Sequence, residues 1–219
     1  MAGRRAIGRD PDTPLGGMMV NRSVTEKNFL FMLGILIDAS DPYRVTLRST
    51  GGDLMPTDDA LKPSHYDIRP YSRRGNISSY KSSVTDEPCI TRVLSRTITG
   101  RDAHIFPVSS EECFVQNGFS RWITNRIVPR DTGLNSCQNG LLLQSHIHQS
   151  FDAFDFSVNP DDGYKTTCFD EDPFSIDGRT LDGICRILND EKSVRDELLR
   201  WHFRQAVLAK YEGSWQTKL

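Results

Sequence analysis

The sequence has no Cys-x-x-Cys pair, no long apolar run and no large excess of either charge. Its five cysteines, Cys89, Cys113, Cys137, Cys168 and Cys185, are odd in number and widely spread. That pattern argues against a disulfide framework and against a thiolate zinc site, and it fits a reducing compartment. The longest apolar stretch, Phe29 to Ile37, is nine residues broken by Gly34, well under the roughly 20 residues that span a bilayer. The opening Met1-Ala-Gly-Arg-Arg-Ala is basic with no apolar core behind it, so no secretory signal is expected. Formal net charge is −2, which excludes a polycation built to coat nucleic acid. No internal repeat and no low-complexity tract is visible. An intracellular protein, cytoplasmic or nuclear and without a membrane partner, is the expectation.

What is present suffices for a folded core. The chain has 219 residues, 37% of them hydrophobic, with 11 Phe, 6 Tyr and 3 Trp. That length allows one domain with an appendage or two small ones, and a change of character near Thr85 divides it into residues 1–84 and 85–219. Pro11, Pro14 and Gly16-Gly17 mark a loose N-terminal arm. Ser23-Val-Thr-Glu26 has capping-box spacing, and Phe29, Leu30, Leu33, Leu36 and Ile37 follow on one face, predicting a helix from about Val24 to Asp38. Tyr43 to Arg48 alternates like a strand, and the breakers Gly51-Gly52, Pro56, Pro63 and Pro70 predict hairpins around it. Towards the C-terminus, Ser193 is the expected cap of a long helix. Asp196 and Glu197 lie in its first turn, and Leu198, Leu199, Phe203, Ala206 and Val207 form its apolar stripe. Asn159-Pro-Asp-Asp-Gly163 reads as a hairpin turn and Asp170-Glu-Asp172 as a solvated loop. The thiols read as small core residues, and His65 and His202 as structural.

Charge is unevenly spread. Six arginines stand against Asp102, Glu111 and Glu112 between Arg92 and Arg130. Between Asp152 and Glu191, eleven acids stand against Lys165, Arg179 and Arg186. Arginine suits bidentate contact with phosphate, whereas the acidic stretch would repel nucleic acid.

Three short pieces carry chemistry. Asp102-Ala-His104-Ile-Phe-Pro107 reads as a strand ending at a turn, with Asp102 and His104 on the same face. Asn135-Ser-Cys-Gln-Asn139-Gly-Leu-Leu-Leu143 is a polar turn opening into an apolar run. His146-Ile-His148-Gln-Ser-Phe151-Asp152 completes the set. From His104 it is 35 residues to Asn139, then nine more to His148.

In this order and spacing the pieces resemble the HNH endonuclease family, nucleases built on a ββα-metal finger. The similarity is to the branch written A-H-I-x-P, N-G-L-L-L and H-x-x-F-D, present here as Ala103 to Pro107, Asn139 to Leu143 and His148 to Asp152. Leu199-Arg-Trp-His-Phe-Arg-Gln-Ala-Val-Leu208 also resembles fungal HNH-domain proteins. The resemblance implies an α+β fold: a ββα-metal core, an N-terminal β-hairpin layer and a long C-terminal helix. It implies phosphodiester hydrolysis with His104 as general base and His148 as a ligand of a divalent metal, Mg, Mn or Zn. Asn139 would bind the same ion through its amide oxygen or fix the loop that holds His104. Phe151 would pack the finger, and Asp152 would orient His148. The implied partner is nucleic acid, DNA in preference to RNA. Arg101 and Arg121 are candidate phosphate contacts from charge and position alone.

The chain also departs from the family. Many members place a metal-binding Asp or His just before the base, where this chain has Ala103; Asp102 is the candidate substitute. Paired cysteines that hold a structural zinc in many members are missing, since Cys89-Ile-Thr91, Gln144 and Ile147 stand at those places, so apolar packing must hold the finger. His146 is open as an extra ligand, a phosphate contact or a surface residue. Two rival readings remain. One is a metal-free enzyme acting on a small molecule (cyclase, isomerase or hydrolase), with His104 and His148 moving protons. The other is a non-catalytic interaction module.

Overall fold

The first helix, α1 (Glu26–Leu36), begins at Thr25, whose side chain accepts the Asn28 N–H at 3.2 Å. Ser23 is therefore not the cap that the capping-box spacing predicts. Its hydroxyl and N–H instead donate to Asp177 at 2.5 and 2.9 Å, a partner far along the chain that outcompetes the local bond. This is a computed structural model; it describes residues 19, 21–37, 42–71, 102–126, 128 and 130–216, with side chains to 210 and only the backbone of Asp102. Arg101, Cys89-Ile-Thr91 and nearly all of the N-terminal arm lie outside the described residues.

After α1 comes the antiparallel hairpin of β1 (Tyr43–Leu47) and β2 (Tyr66–Pro70), in register from Tyr43 opposite Pro70 to Leu47 opposite Tyr66. The second half opens with β3 (Asp102–His104), followed by the short helix α2 (Glu111–Gln116). Then β4 (Gly140–Leu142) returns antiparallel to β3, with His104 opposite Gly140 and Ala103 opposite Leu141. Helix α3 (Ser145–Asp152) follows at once, completing a strand–strand–helix finger. The predicted turn at Asn159 to Gly163 is a 3₁₀ turn joining β5 (Phe156–Asn159) to β6 (Lys165–Cys168), again antiparallel. The chain is α+β, as expected from its sequence, and ends in the long helix α4 (Asp196–Gln216).

Ser193 does not cap α4. Its hydroxyl donates to the Ile187 carbonyl at 3.0 Å, and the Arg195 carbonyl takes the first helical N–H groups, those of Leu198 and Leu199. Two buried clusters share α4. Leu198, Leu199 and Trp201 pack with Ala103, Ile105 and Phe106 of the finger. Phe203, Ala206, Val207 and Leu208 pack with Met32, Leu33 and Leu36 of α1. Each large apolar side chain fully buried here contributes roughly 1.5–3 kcal/mol, so α4 is the element that joins the N-terminal layer to the finger. Polar bonds tie the N-terminal layer to the β5–β6 hairpin as well: Asn28 Nδ2 donates to Asp162 at 2.9 Å, and Asn21 Nδ2 to the Cys168 carbonyl at 2.7 Å.

The cysteines divide. Cys168 is a core residue whose thiol is pushed up by burial and by Asp172, Asp177 and Asp155. Cys185 is half-buried and Cys137 is exposed, against the expectation that every thiol is core. Cys113 is disulfide-bonded, which departs from the all-thiol expectation; sequence spacing does not say which Cβ atoms meet in space. Among the described residues no helix is long and apolar enough to cross a membrane.

His202, in the middle of α4, is 2% exposed, and burial pushes its imidazole down to about 3 despite a hydrogen bond to the Phe151 backbone that favours the proton. The unfolded chain therefore binds a proton that the folded chain refuses between the unfolded value near 6.5 and the folded value near 3. Stability from this group is full above that window and is lost as pH falls through it. We predict a loss of about 2 kcal/mol between pH 7 and pH 5 from this one proton. Urea unfolding of wild type and His202→Phe at the two pH values checks this; the variant should show a smaller difference by that amount.

Candidate active site

Strand alternation sets the first element of the site. Ala103 and Ile105 point into the core and are fully buried, which turns His104 to the other face, half-buried. Just beyond, the finger is tied by one side chain. The Asn139 amide oxygen accepts the Phe106 N–H at 2.8 Å, while its Nδ2 donates to the carbonyls of Phe106 at 3.0 Å and Leu134 at 2.8 Å. The Ile105 N–H also donates to the Asn139 carbonyl at 2.9 Å. Asn139 is 0% exposed, so its oxygen is committed inside the protein. Of the two roles left open for Asn139 by the sequence, this geometry fits fixing the loop that holds His104; it does not fit ligation of an ion.

Gln138, which sequence reasoning passed over, does parallel work on the other side of the same turn. It is fully buried, and its Oε1 accepts the N–H groups of Thr124 and Asn125 at 2.8 and 3.0 Å. Its Nε2 donates to the Thr124 hydroxyl at 3.0 Å, and its carbonyl accepts the Arg195 N–H at 3.2 Å. Gly133 belongs to this framework too: its φ is +85°, and a Cβ there would stand 2.6 Å from Ile123 Cγ2. Only glycine lets the chain turn there and present Leu134 to Asn139. A buried Gln beside the motif Asn leaves no signal in spacing or charge.

Helix α3 supplies the rest. His148 and Asp152 are one turn apart, and His148 Nε2 lies 3.2 Å from Asp152 Oδ2. Burial raises the Asp152 carboxyl, against the pull of His148 and of His104. One carboxylate thus feels both imidazoles, His104 from β3 and His148 from α3, and this is how the fold brings the first and last pieces of the motif together. His146 is two residues from His148 and so about 200° around the helix. It is exposed and its ring lies 4.5 Å from that of Phe174, on the face away from His148.

The charged residues sort differently from their sequence balance. Arg121 is exposed, with its guanidinium 4.8 Å over the Trp122 ring. Arg126 is used internally, on the carbonyls of Ile123, Asp131 and Ser120. Much of the acidic stretch is likewise paired within the chain. Asp161 pairs with Arg200 at 2.7 Å, Asp155 and Asp170 share Lys210 at 2.6 and 3.2 Å, and Asp162 lies 3.5 Å from Lys165. Asp172 accepts the N–H groups of Ile176 and Asp177 in its own loop, and Asp177 accepts the Cys168 N–H at the end of β6.

Among the described residues no three of His, Cys, Asp and Glu converge on one point as a ready-made metal cage. The donor set that does exist is the pair His148 and Asp152. Two donors each about 2.1 Å from one ion at right angles sit roughly 3 Å apart, close to the 3.2 Å between Nε2 and Oδ2. An imidazole with one carboxylate suits a cation that keeps several waters.

Residues 89–159 match the family described as HNH endonuclease. That segment of the chain is similar to an HNH endonuclease domain. Its strand–strand–helix finger with His104, Asn139 and His148 lies inside the matched residues, and the match points to nuclease-type chemistry on nucleic acid in general terms. Residues 7–74 match a Domain of unknown function (DUF8573). No curated protein and no solved structure matches the chain.

Two outcomes follow for the HNH finger. Asn139→Ala leaves three backbone groups buried without partners, at roughly 1–3 kcal/mol each. Thermal and urea unfolding should show a loss of about 3 kcal/mol or more. Asp152→Asn removes a charge that burial disfavours, so its melting temperature in EDTA at neutral pH should match or exceed wild type. Asp152 contributes more to stability when protonated, and that contribution is lost as pH rises through its raised folded pKa. Wild type should therefore gain on Asp152→Asn as pH falls toward the carboxylate range.

Proposed function

We propose that the protein is a divalent-metal-dependent nuclease of the HNH type that hydrolyses phosphodiester bonds, with DNA preferred to RNA. The observation that supports it most is the 3.2 Å approach of His148 Nε2 to Asp152 Oδ2 on α3, the helix that packs against the strand carrying His104, within a finger whose backbone is tied by Asn139.

In this reading His104 is the general base. An imidazole changes charge near neutral pH and so suits removal of a proton from water. The water oxygen bonds to phosphorus as the bond to the leaving oxygen breaks, and the proton passes to the imidazole of His104. His148 and Asp152 would hold the divalent cation; an imidazole with one carboxylate suits Mg or Mn rather than a caged zinc. When bound, the ion supplies charge stabilisation at the phosphate and the leaving oxygen. Asn139 and Gln138 act earlier in the chain of causes: they fix the turn that sets His104 in place. Asp102 is a further candidate ligand beside His104, and Arg101 and Arg121 are candidate phosphate contacts. His146 has no part in this reading, because it faces Phe174.

Metal content and plasmid nicking test the proposal, comparing wild type with His104→Ala in Mg²⁺, Mn²⁺ or EDTA. Nicking should require the ion and should fall by roughly 10²- to 10⁴-fold in His104→Ala, the usual range for a lost general base. Binding to DNA should survive that substitution and weaken steeply with salt. A protein that neither binds a divalent ion nor nicks under any condition would sink the nuclease reading. Turnover of a small molecule that depends on His104 without metal would then favour the metal-free enzyme. Indifference of every function to His104→Ala would favour the interaction module.

A further inference from the structure

Two consecutive residues of α4, Trp201 and His202, touch the two arms of the HNH finger from outside the matched residues 89–159. Trp201 stacks on Phe106 with ring centroids 4.1 Å apart and planes tilted by 32°. Phe106 lies two residues beyond His104, and both its backbone N–H and its carbonyl are bonded by Asn139. His202 stacks on Phe151 at 3.8 Å with the planes parallel to within 4°. Phe151 is fully buried, directly before Asp152 and three residues after His148.

The His202 ring is held in direction as well as in depth. Its Nδ1 lies 2.8 Å from the Ser157 hydroxyl. A neutral imidazole offers one donor and one acceptor, and a hydroxyl, itself donor and acceptor, pairs with Nδ1 in either tautomer. Phe154 closes the ring's remaining side at 4.8 Å.

We propose that Trp201 and His202 are positioning residues that set the separation between His104 and the His148–Asp152 pair. Trp201 fixes the arm carrying His104 and His202 fixes the arm carrying His148 and Asp152. Because the two are neighbours on one rigid helix, the distance between the arms is set by α4 and not by the finger alone. The finger's own strand pairing spans only three residues on each side, too little to hold a geometry that catalysis needs to within about 0.5 Å. The catalytic consequence rests on the nuclease reading; the geometric one does not.

The test uses the full chain with His202→Ala, His202→Phe and Phe151→Leu, read by steady-state nicking in Mn²⁺ and by the nitrogen chemical shifts of the His148 imidazole, both well below the melting temperature. His202→Ala should lower kcat about 10- to 100-fold, the usual effect of losing a group that orients a metal ligand, with KM for DNA unchanged and the His148 signal displaced. His202→Phe, which keeps the stack on Phe151, should recover most of that kcat. If His202→Ala does not fold, Phe151→Leu carries the same comparison, since it keeps apolar volume but loses the parallel ring face. A folded variant that melts earlier yet keeps wild-type kcat and an unmoved His148 signal overturns the proposal. If wild type nicks nothing, the nuclease reading falls. The positioning claim then stands or falls on whether the His148 signal moves.

Discussion

The side-chain amide of Asn139 is the constraint on which the rest of the finger depends. In the middle of a buried core it bonds both backbone polar groups of Phe106 and the carbonyl of Leu134. Buried peptide groups must find partners, and the turn from His104 into Pro107 cannot use a sheet, because β3 and β4 pair over so short a length. Asn139 stands in for the missing strand. That choice has a chemical corollary: an amide tied on both ends inside the core is not free to meet an ion, so the proposed metal ligands are instead His148 and Asp152 of α3, which face each other across one helical turn.

The parts of this arrangement that were legible in the sequence are those with short-range signatures. His104, Asn139 and His148 were singled out because a strand, a polar turn and a His-rich run each mark themselves within a few residues, and because their order resembles the HNH motif. The α+β class and the long final helix were legible for the same reason. What could not be read depended on distant partners. Ser23 has the right spacing for a cap, but Asp177 claims it, and Thr25 takes the role. Ser193 fails in the same way, drawn to the Ile187 carbonyl. The two roles open to Asn139 could be separated only by seeing where its oxygen goes. Gln138 was invisible, since nothing about an isolated Gln announces four bonds in a core.

The charge pattern shows the limit of counting. The arginines and acids that look like opposing surfaces in the sequence are in part structural fittings. Arg126 braces its own loop, and Asp155, Asp161, Asp162 and Asp170 meet Lys210, Arg200 and Lys165. A carboxylate already paired with a cation contributes little to the long-range field that a nucleic acid would feel, particularly beyond a Debye length. The acidic stretch is therefore a weaker argument against a polyanionic partner than its composition suggests. His146 and His148 make a similar point at short range: two imidazoles two residues apart serve opposite sides of one helix, and only one of them shares a face with Asp152.

The dependence of both cores on α4 has a consequence for how the protein is made. Every residue of the finger leaves the ribosome before Trp201 and His202 do, and chains are synthesised at only about 5–20 residues per second. During that interval β3, β4 and α3 lack the helix that buries Phe106 and Phe151. The nascent chain therefore carries His104, His148 and Asp152 without the support that aligns them. In the proposed nuclease reading, the pair of arms that would carry the chemistry is aligned only once α4 docks.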